Sequence, residues 1–164
     1  MAYGTDSDFN AWLSQFGYAL PVGAPSPTVI RTRGSAYLDA TYEPLWSGIR
    51  TDPLNQSDAW PRTGAALFCT TSIPDNVTPI AIVTASYRAA YLEALTPGIL
   101  SGSPSSGPRV KRQKVDVIER EFFDDGAATI GNAGGFIDPS IDGAMKQFIC
   151  DFGSSGFFFQ SIGS

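Results

Sequence analysis

The stretch TVIRTRGSAYLDATYEPLWSGIRTDPLNQSDAWPR, Thr28–Arg62, decides the fold of this chain. Its first half is predicted to be a helix, because most of its apolar residues lie three, four or seven positions apart and share one broad face. Thr28 is a suitable cap, since its hydroxyl can accept a hydrogen bond from a free N–H of the first turn. Pro44 disfavours a helical residue before it, so we expect the helix to end near Tyr42. The apolar face comprises Val29, Ile30, Tyr37, Leu38, Tyr42 and Leu45.

A long polar loop follows this helix and contains Trp46 and Trp60. Buried indoles are usually packing anchors, which places both rings in or over the core. Residues 49–79 show no helical or strand periodicity, and a loop of that length is usually functional or packed on a partner. The loop is therefore the candidate for a subunit–subunit contact, in which Arg50 and Arg62 pair with carboxylates of the same chain or of a neighbour.

This region resembles a phage-encoded family labelled DnaT-like single-stranded DNA-binding proteins, whose members look like head–tail connector (adaptor) proteins of tailed phages. Ile73-Pro74, the helix from Thr78 and the strand-like residues 110–123 follow in the expected order, so the resemblance spans roughly residues 5–150. The most specific element is W-P-R. The matching residues are Tyr37, Leu38, Asp39, Trp46, Gly48, Arg50, Gln56, Trp60, Pro61 and Arg62.

The resemblance implies a virion protein located at the phage neck and assembled in the host cytoplasm. The resemblance implies a homo-oligomeric ring of about twelve subunits, a number that the composition does not show. Such a ring lies beneath the portal protein, extends the channel for double-stranded DNA and meets the next tail or neck protein. DNA passes through without specific recognition.

The composition of the 164-residue chain fits a single domain with one core. Charged residues make up 16% of the chain, against about 25% in average soluble domains. A surface with few charges is typical of a protein covered by other subunits, but also of one rich in Ser, Gly and Pro loops. The net charge of −5 argues against a general nucleic-acid binder, which needs Lys and Arg to neutralise phosphates.

The residues that most catalytic and metal sites need are missing from this sequence. It contains no histidine, which excludes His-based triads and His metal ligands. Cys69 and Cys150 lie far apart and form no C-x-x-C, so we expect free buried thiols. GNAGG at 131–135 is too weak a pattern to predict phosphate binding, and Asp124-Asp125-Gly126 lacks the acidic spacing of an EF-hand. We expect no enzyme activity, no cofactor and no metal.

Two further expectations concern location. No basic region precedes an apolar run at the N-terminus, so no signal peptide is predicted. No apolar stretch is long enough to span a bilayer, so we expect no membrane contact.

Three more helices are predicted. The first lies within residues 1–20, with Thr5, Asp6 or Ser7 as cap, Phe9, Trp12, Leu13 and Phe16 as one stripe, and Gly17 as its end. The second opens with Thr78 as cap and Pro79 at the first helical position, and ends at Pro97-Gly98. The third begins at Asp138-Pro139, with Ile141, Ala144, Met145, Phe148, Ile149 and Phe152 on one face.

A β-hairpin or extended arm is predicted at about residues 109–131. Val110–Phe123 is rich in β-branched residues, and Asp125-Gly126 suits a turn before a second strand at Ala127–Ile130. Basic residues lead this segment and acidic ones follow, so neighbouring copies could pair through it; a solvated hairpin fits equally well. The charged residues concerned are Lys111, Arg112, Lys114, Glu119 and Glu121.

The C-terminal residues 153–164 are predicted to form an extended docking tail. Phe157, Phe158 and Phe159 cannot share one local face, and three exposed phenylalanines favour a partner's groove or sheet edge. With Ile162, they are the candidate contact with the portal, as in similar connectors. The alternative is a tail folded back on its own domain.

Together these features predict a mainly α fold: a small bundle of about four helices over residues 1–152, a hairpin arm and the tail. The predicted function is that of a head-to-tail connector. The alternative is a DnaT-like accessory protein that binds single-stranded DNA, for which the only basic cluster is Lys111, Arg112 and Lys114, with no aromatic residue until Phe122.

Overall fold

Two sixteen-residue helices, α2 (Pro27–Tyr42) and α3 (Ile80–Leu95), pack against each other at the centre of the fold. The computed structural model describes residues 2–101, the backbone of two paired strands at 113–115 and 118–120, and residues 138–150. The helices approach closely at Gly34, where an added Cβ would lie 2.5 Å from the carbonyl oxygen of Ser86 and 2.7 Å from the backbone nitrogen of Ala90.

Two shorter helices complete the mainly α architecture of the described residues. Helix α1 (Asp6–Gln15) packs on α2 and α3, and α4 (Pro139–Met145) packs on α3 before a 3₁₀ turn over Lys146–Phe148. Further 3₁₀ turns follow α2 at Glu43–Leu45 and α3 at Ile99–Ser101. The prediction of about four helices is confirmed for this part of the chain.

The helix starts agree with prediction to within a few residues. Thr5 caps α1, and its Oγ1 accepts from the N–H of Asp8 at 3.1 Å. Asp138 caps α4, accepting from the N–H groups of Ser140 and Ile141. The expected cap at Thr28 is wrong: α2 begins at Pro27 after Ser26, and Thr28 Oγ1 instead donates to Asp6 at 2.5 Å. Helix α3 begins one residue later than predicted, with Pro79 in the cap position.

The region between α2 and α3 contains short strands that the sequence pattern did not predict. Strand β1 (Ile49–Arg50) pairs antiparallel with β2 (Arg62–Thr63), and β3 (Ala66–Leu67) pairs antiparallel with β4 (Thr71–Ser72). Strands of two residues are too short to show a period of two. The loop is thus a folded layer over the helices.

The predicted hairpin exists, but its register differs from prediction. Strand β5 (Gln113–Val115) pairs antiparallel with β6 (Ile118–Arg120), and Val115 faces Ile118 across the pair. The pairing of Val115 with Ile118 lies inside the segment predicted to be a single strand, whereas Asp125-Gly126 lies outside the described residues. The predicted strand at 127–130 and the tail at 153–164 lie outside the described residues.

Buried side chains form two clusters on either side of α3. The larger one joins α2, the loop, α3 and α4 through Leu38, Trp60, Ile82, Ile141 and Met145. The smaller one joins α1, α2 and α3 through Phe9, Leu13, Ile30, Tyr87 and Ala90. Among the helices described, none is long and apolar enough to cross a membrane.

The expectation of free thiols is wrong. Cys69, next to β4, and Cys150, after the last 3₁₀ turn, form a disulfide across 81 residues of sequence. A spacing this long is not informative about pairing, because only the tertiary fold brings the two sulfurs together.

Candidate functional site

The side chains of the two loop tryptophans are buried. Trp46 is 4% and Trp60 2% exposed, and their rings meet edge to face at 5.8 Å. Trp60 also packs edge to face on Phe148 at 5.5 Å. The interpretation of both rings as packing anchors is confirmed, and they join the loop to α4.

Arg62 stabilises the loop through hydrogen bonds to its backbone carbonyls. Its side chain is 5% exposed, and its guanidinium donates to the carbonyls of Ser47 at 3.0 Å and Gly48 at 2.6 Å. Burial lowers the pKa of Arg62, and Glu43 at 3.7 Å partly offsets that effect. Because its five donors form a rigid fork, an arginine can satisfy several loop carbonyls at once.

Arg50 fastens the same loop to the end of α2. It donates to both carboxylate oxygens of Glu43, at 2.6 and 2.7 Å, and to the carbonyl of Gln56 at 2.8 Å. These charged hydrogen bonds hold the pKa of Glu43 below its ordinary range and raise that of Arg50. Within the chain, Glu43 is the carboxylate partner of both predicted loop arginines. A role for them between chains stays a prediction.

A hydrogen-bonded pair of side chains, Tyr3 and Asp39, lies beneath the loop, and the sequence pattern did not identify it. The hydroxyl of Tyr3 donates to Asp39 at 2.5 Å, and the other oxygen of Asp39 accepts from the N–H of Ala59 at 2.9 Å. Burial raises the pKa of both groups, and the carboxylate adds to the rise for Tyr3. The backbone N–H of Trp60 donates to the same hydroxyl at 3.2 Å. This network connects the N-terminus, α2 and the loop.

An aromatic cleft opens where α1, α3 and α4 meet. Phe16, although it belongs to the predicted stripe of α1, is 54% exposed, and Trp12 lies 5.1 Å from it. Tyr18 stacks on Tyr91 at 4.5 Å with an angle of 10° between the rings. The cleft has a volume of about 310 Å³ and is lined by Trp12, Phe16, Tyr18, Thr84, Ala85, Arg88, Ser140, Ile141 and Ala144.

Arg88 provides the charge in this cleft, and the sequence analysis did not single it out. It donates to the hydroxyl of Tyr18 and to Asp138, both at 3.2 Å, and its guanidinium carbon lies 6.0 Å from the Tyr18 ring centre. Its Nε is buried without a hydrogen-bond partner. The cleft is thus apolar and aromatic, with one largely neutralised cation.

All six basic side chains that the structure describes pair with carboxylates. The pairs are Arg31–Asp6, Arg33–Glu93, Arg50–Glu43, Arg62–Glu43, Arg88–Asp138 and Lys146–Asp142. The other five of the eleven Lys and Arg residues lie between positions 109 and 120. In the described part, no cluster of three acidic or sulfur ligands could hold a metal ion.

The remaining predicted site residues lie mostly outside the described residues. In the backbone register of the β5–β6 pair, Lys114 is the partner of Glu119. Lys111, Arg112, Glu121, Phe157, Phe158, Phe159 and Ile162 lie outside the described part.

One family model, described as "Putative DnaT-like ssDNA binding protein", matches residues 2–160. The search of curated proteins and the search of solved structures returned no match.

Proposed function

Because that match spans almost the whole chain, the chain belongs to the DnaT-like family, and we propose that it is a structural subunit of an assembly: a head-to-tail connector that forms a ring beneath a phage portal. The observation in favour is the combination of neutralised cations with an open aromatic cleft. Each described cation is neutralised by a carboxylate of its own chain, while an aromatic cleft stays open to solvent.

These two features favour contact with protein over contact with phosphates. A nucleic-acid surface gains affinity by replacing counterions with free Lys and Arg. Protein interfaces, in contrast, are centred on aromatic side chains in well-packed pockets, with charges at the rim. We assign the aromatic cleft to the neighbouring subunit of the ring, and residues 153–164 to the portal.

The tail can be tested separately from the folded domain. Deletion of residues 153–164 removes Phe157, Phe158 and Phe159 but none of the described contacts, so the thermal midpoint should stay within about 2 °C of that of the full chain. Capture by purified portal rings should be lost, as measured by co-sedimentation and negative-stain imaging. The matched control is the full-length variant with Phe157, Phe158 and Phe159 replaced by Ser, because it removes the three rings without shortening the chain. Undiminished capture of both variants would refute the assignment of the tail.

Single-stranded DNA binding is the second candidate function, and the family's description favours it. The five basic residues between 109 and 120 are the part of the sequence that could provide it, since base stacking needs a basic groove beside aromatic rings. A binder of this kind would hold a labelled oligonucleotide at micromolar or better affinity, with log K falling linearly against log salt. Replacing Lys111, Arg112 and Lys114 by Gln should then reduce that slope by about two. Absence of binding at low salt would exclude this candidate.

A further inference from the structure

The Cys69–Cys150 disulfide joins two segments that already meet through their backbones. The N–H of Phe68 donates to the carbonyl of Gln147 at 2.7 Å, and the N–H of Ser47 donates to the carbonyl of Phe148 at 3.1 Å. Ile149 forms a β-bridge with Trp46. Residues 146–150 are thus held between the end of α2 and the β3–β4 hairpin before the chain continues into its C-terminal segment.

The hairpin side of this contact has an unfavourable backbone conformation. Phe68 and Cys69 have φ values of +49° and +61°, a left-handed region that side chains with a Cβ adopt at a cost. Phe68 is also 67% exposed, so burial of its ring does little to offset that cost. The tertiary contacts that hold the turn in this conformation include the bond to Cys150.

Neither cysteine is buried in the core of the domain. Cys69 is exposed and Cys150 half-buried, in contrast to the core positions usual for inert structural cysteines. The two Cα atoms are 5.4 Å apart, within the range that a disulfide spans without displacement of the backbone. The bond can therefore close without displacement of the backbone around it.

We propose that Cys69 and Cys150 form a redox-dependent latch that fixes where the C-terminal segment leaves the domain. In a reducing compartment the pair is a dithiol, and the β3–β4 hairpin can leave the left-handed conformation. In an oxidising medium the bond closes and the exit point of residues 151–164 is fixed. This inference does not depend on the proposed function.

The chemistry requires an external disulfide such as oxidised glutathione. The thiolate of one cysteine attacks that disulfide, forms a mixed disulfide and releases one glutathione thiolate. The second cysteine thiolate then attacks the protein sulfur of the mixed disulfide and releases the second glutathione. Two protein thiols are oxidised, one glutathione disulfide is reduced to two thiols, and the two protons lost by the cysteines are taken up by the glutathiones.

The latch is tested on the full-length chain, with the double variant Cys69→Ser/Cys150→Ser as control. After equilibration in oxidised glutathione, iodoacetamide should add no mass; after reduction it should add two carbamidomethyl groups. Reduction should lower the thermal midpoint of the natural chain by about 5–15 °C and leave that of the double variant unchanged. Hydrogen exchange should rise on reduction at residues 66–72 and 146–150, while α2 and α3 change little.

Three results would overturn the latch. The first is retention of both alkylatable thiols in oxidised glutathione, which would mean that the bond does not form. The second is an equal effect of reductant on the natural chain and on the double variant. A rise of hydrogen exchange spread evenly over all helices would also contradict it, because the bond would then stabilise the whole domain instead of one exit point.

Discussion

Arg62 is the residue on which the loop between α2 and α3 depends most. Its replacement by Ala would remove the donors from the half-buried carbonyls of Ser47 and Gly48, at a cost of about 3 kcal/mol in the free energy of unfolding. Arg62→Lys should lose roughly half as much, because an ammonium keeps the charge but not the fork of donors. Urea unfolding followed by circular dichroism measures both.

The matched control for Arg62 is Lys146→Ala, in a basic residue that is 72% exposed and pairs with Asp142 one turn away. Such surface pairs are worth about 0.5 kcal/mol or less. If Arg62→Ala lowered the free energy of unfolding no more than Lys146→Ala does, the loop would not depend on the buried guanidinium.

Glu43 should make stability depend on pH. Its pKa is lowered in the folded chain, mainly by the hydrogen bonds from Arg50, so the stabilisation is present above the ordinary value of 4.5 and disappears as pH falls through the lower folded value. Glu43→Gln should therefore cost about 1–2 kcal/mol at pH 7. The difference between the two proteins should shrink as pH falls below 4.5 and Glu43 becomes protonated. A difference that stays constant between pH 7 and pH 3 would mean that the ion pair is not its source.

At the scale of elements, the pairing of α2 with α3 depends on Gly34. A methyl group at this position would meet the backbone of α3 at Ser86 and Ala90, which side-chain rotation cannot relieve. Gly34→Ala should therefore lower the thermal midpoint, with a loss of about 2 kcal/mol or more in the free energy of unfolding.

Gly143 in α4 is a glycine at which alanine should stabilise the chain, in contrast to Gly34. An added Cβ at Gly143 meets no atom within 4 Å, so Gly143→Ala should stabilise the helix by about 0.5–1 kcal/mol. Differential scanning calorimetry of both variants tests the comparison. Equal effects of the two substitutions would mean that the close approach at Gly34 does not limit the packing.

The elements with a clear period were predictable, and those defined by distant contacts were not. The positions of α1, α2 and α3, the cap at Asp138 and the end of α2 near Pro44 follow from local spacing and capping chemistry. Two residues of the predicted apolar faces, Phe16 and Val29, are nevertheless 54% and 42% exposed. Thr28 was misassigned because Pro27 at the first helical position moves the cap back to Ser26. The two-residue strands are too short to show a period, and the Cys69–Cys150 bond joins residues 81 positions apart, so neither has a local pattern.

The loop residues of the candidate site could be predicted from the sequence, but their contacts could not. Trp46, Trp60, Arg50 and Arg62 stand out in the sequence, yet their contacts within the chain run to Glu43 and to loop carbonyls that no motif indicates. The cleft was missed because Arg88 and Tyr18 belong to separate segments, and an amphipathic pattern does not show which of its aromatic residues remain exposed.

At the scale of the whole molecule, the aromatic cleft should determine how copies associate on a portal ring. Phe16 is 54% exposed, so Phe16→Ser should change the thermal midpoint by less than about 2 °C. Aromatic residues at the centre of interfaces contribute about 2 kcal/mol or more, which corresponds to an affinity for the neighbouring subunit some 30-fold lower. The tail is intact in this variant, so single copies should still bind the portal.

Phe16→Ser is therefore expected to abolish the cooperative filling of portal rings, while binding of single copies to the portal is retained. Native mass spectrometry of portal complexes should show mostly full or empty rings for the natural chain, and a broad distribution of partly filled rings for the variant. Val22→Ser is the control, because Val22 is fully exposed and does not line the cleft. Equal cooperativity in all three proteins would exclude the cleft as the subunit contact. If Phe16→Ser instead weakened binding of an oligonucleotide, the cleft would belong to the function named in the family's description.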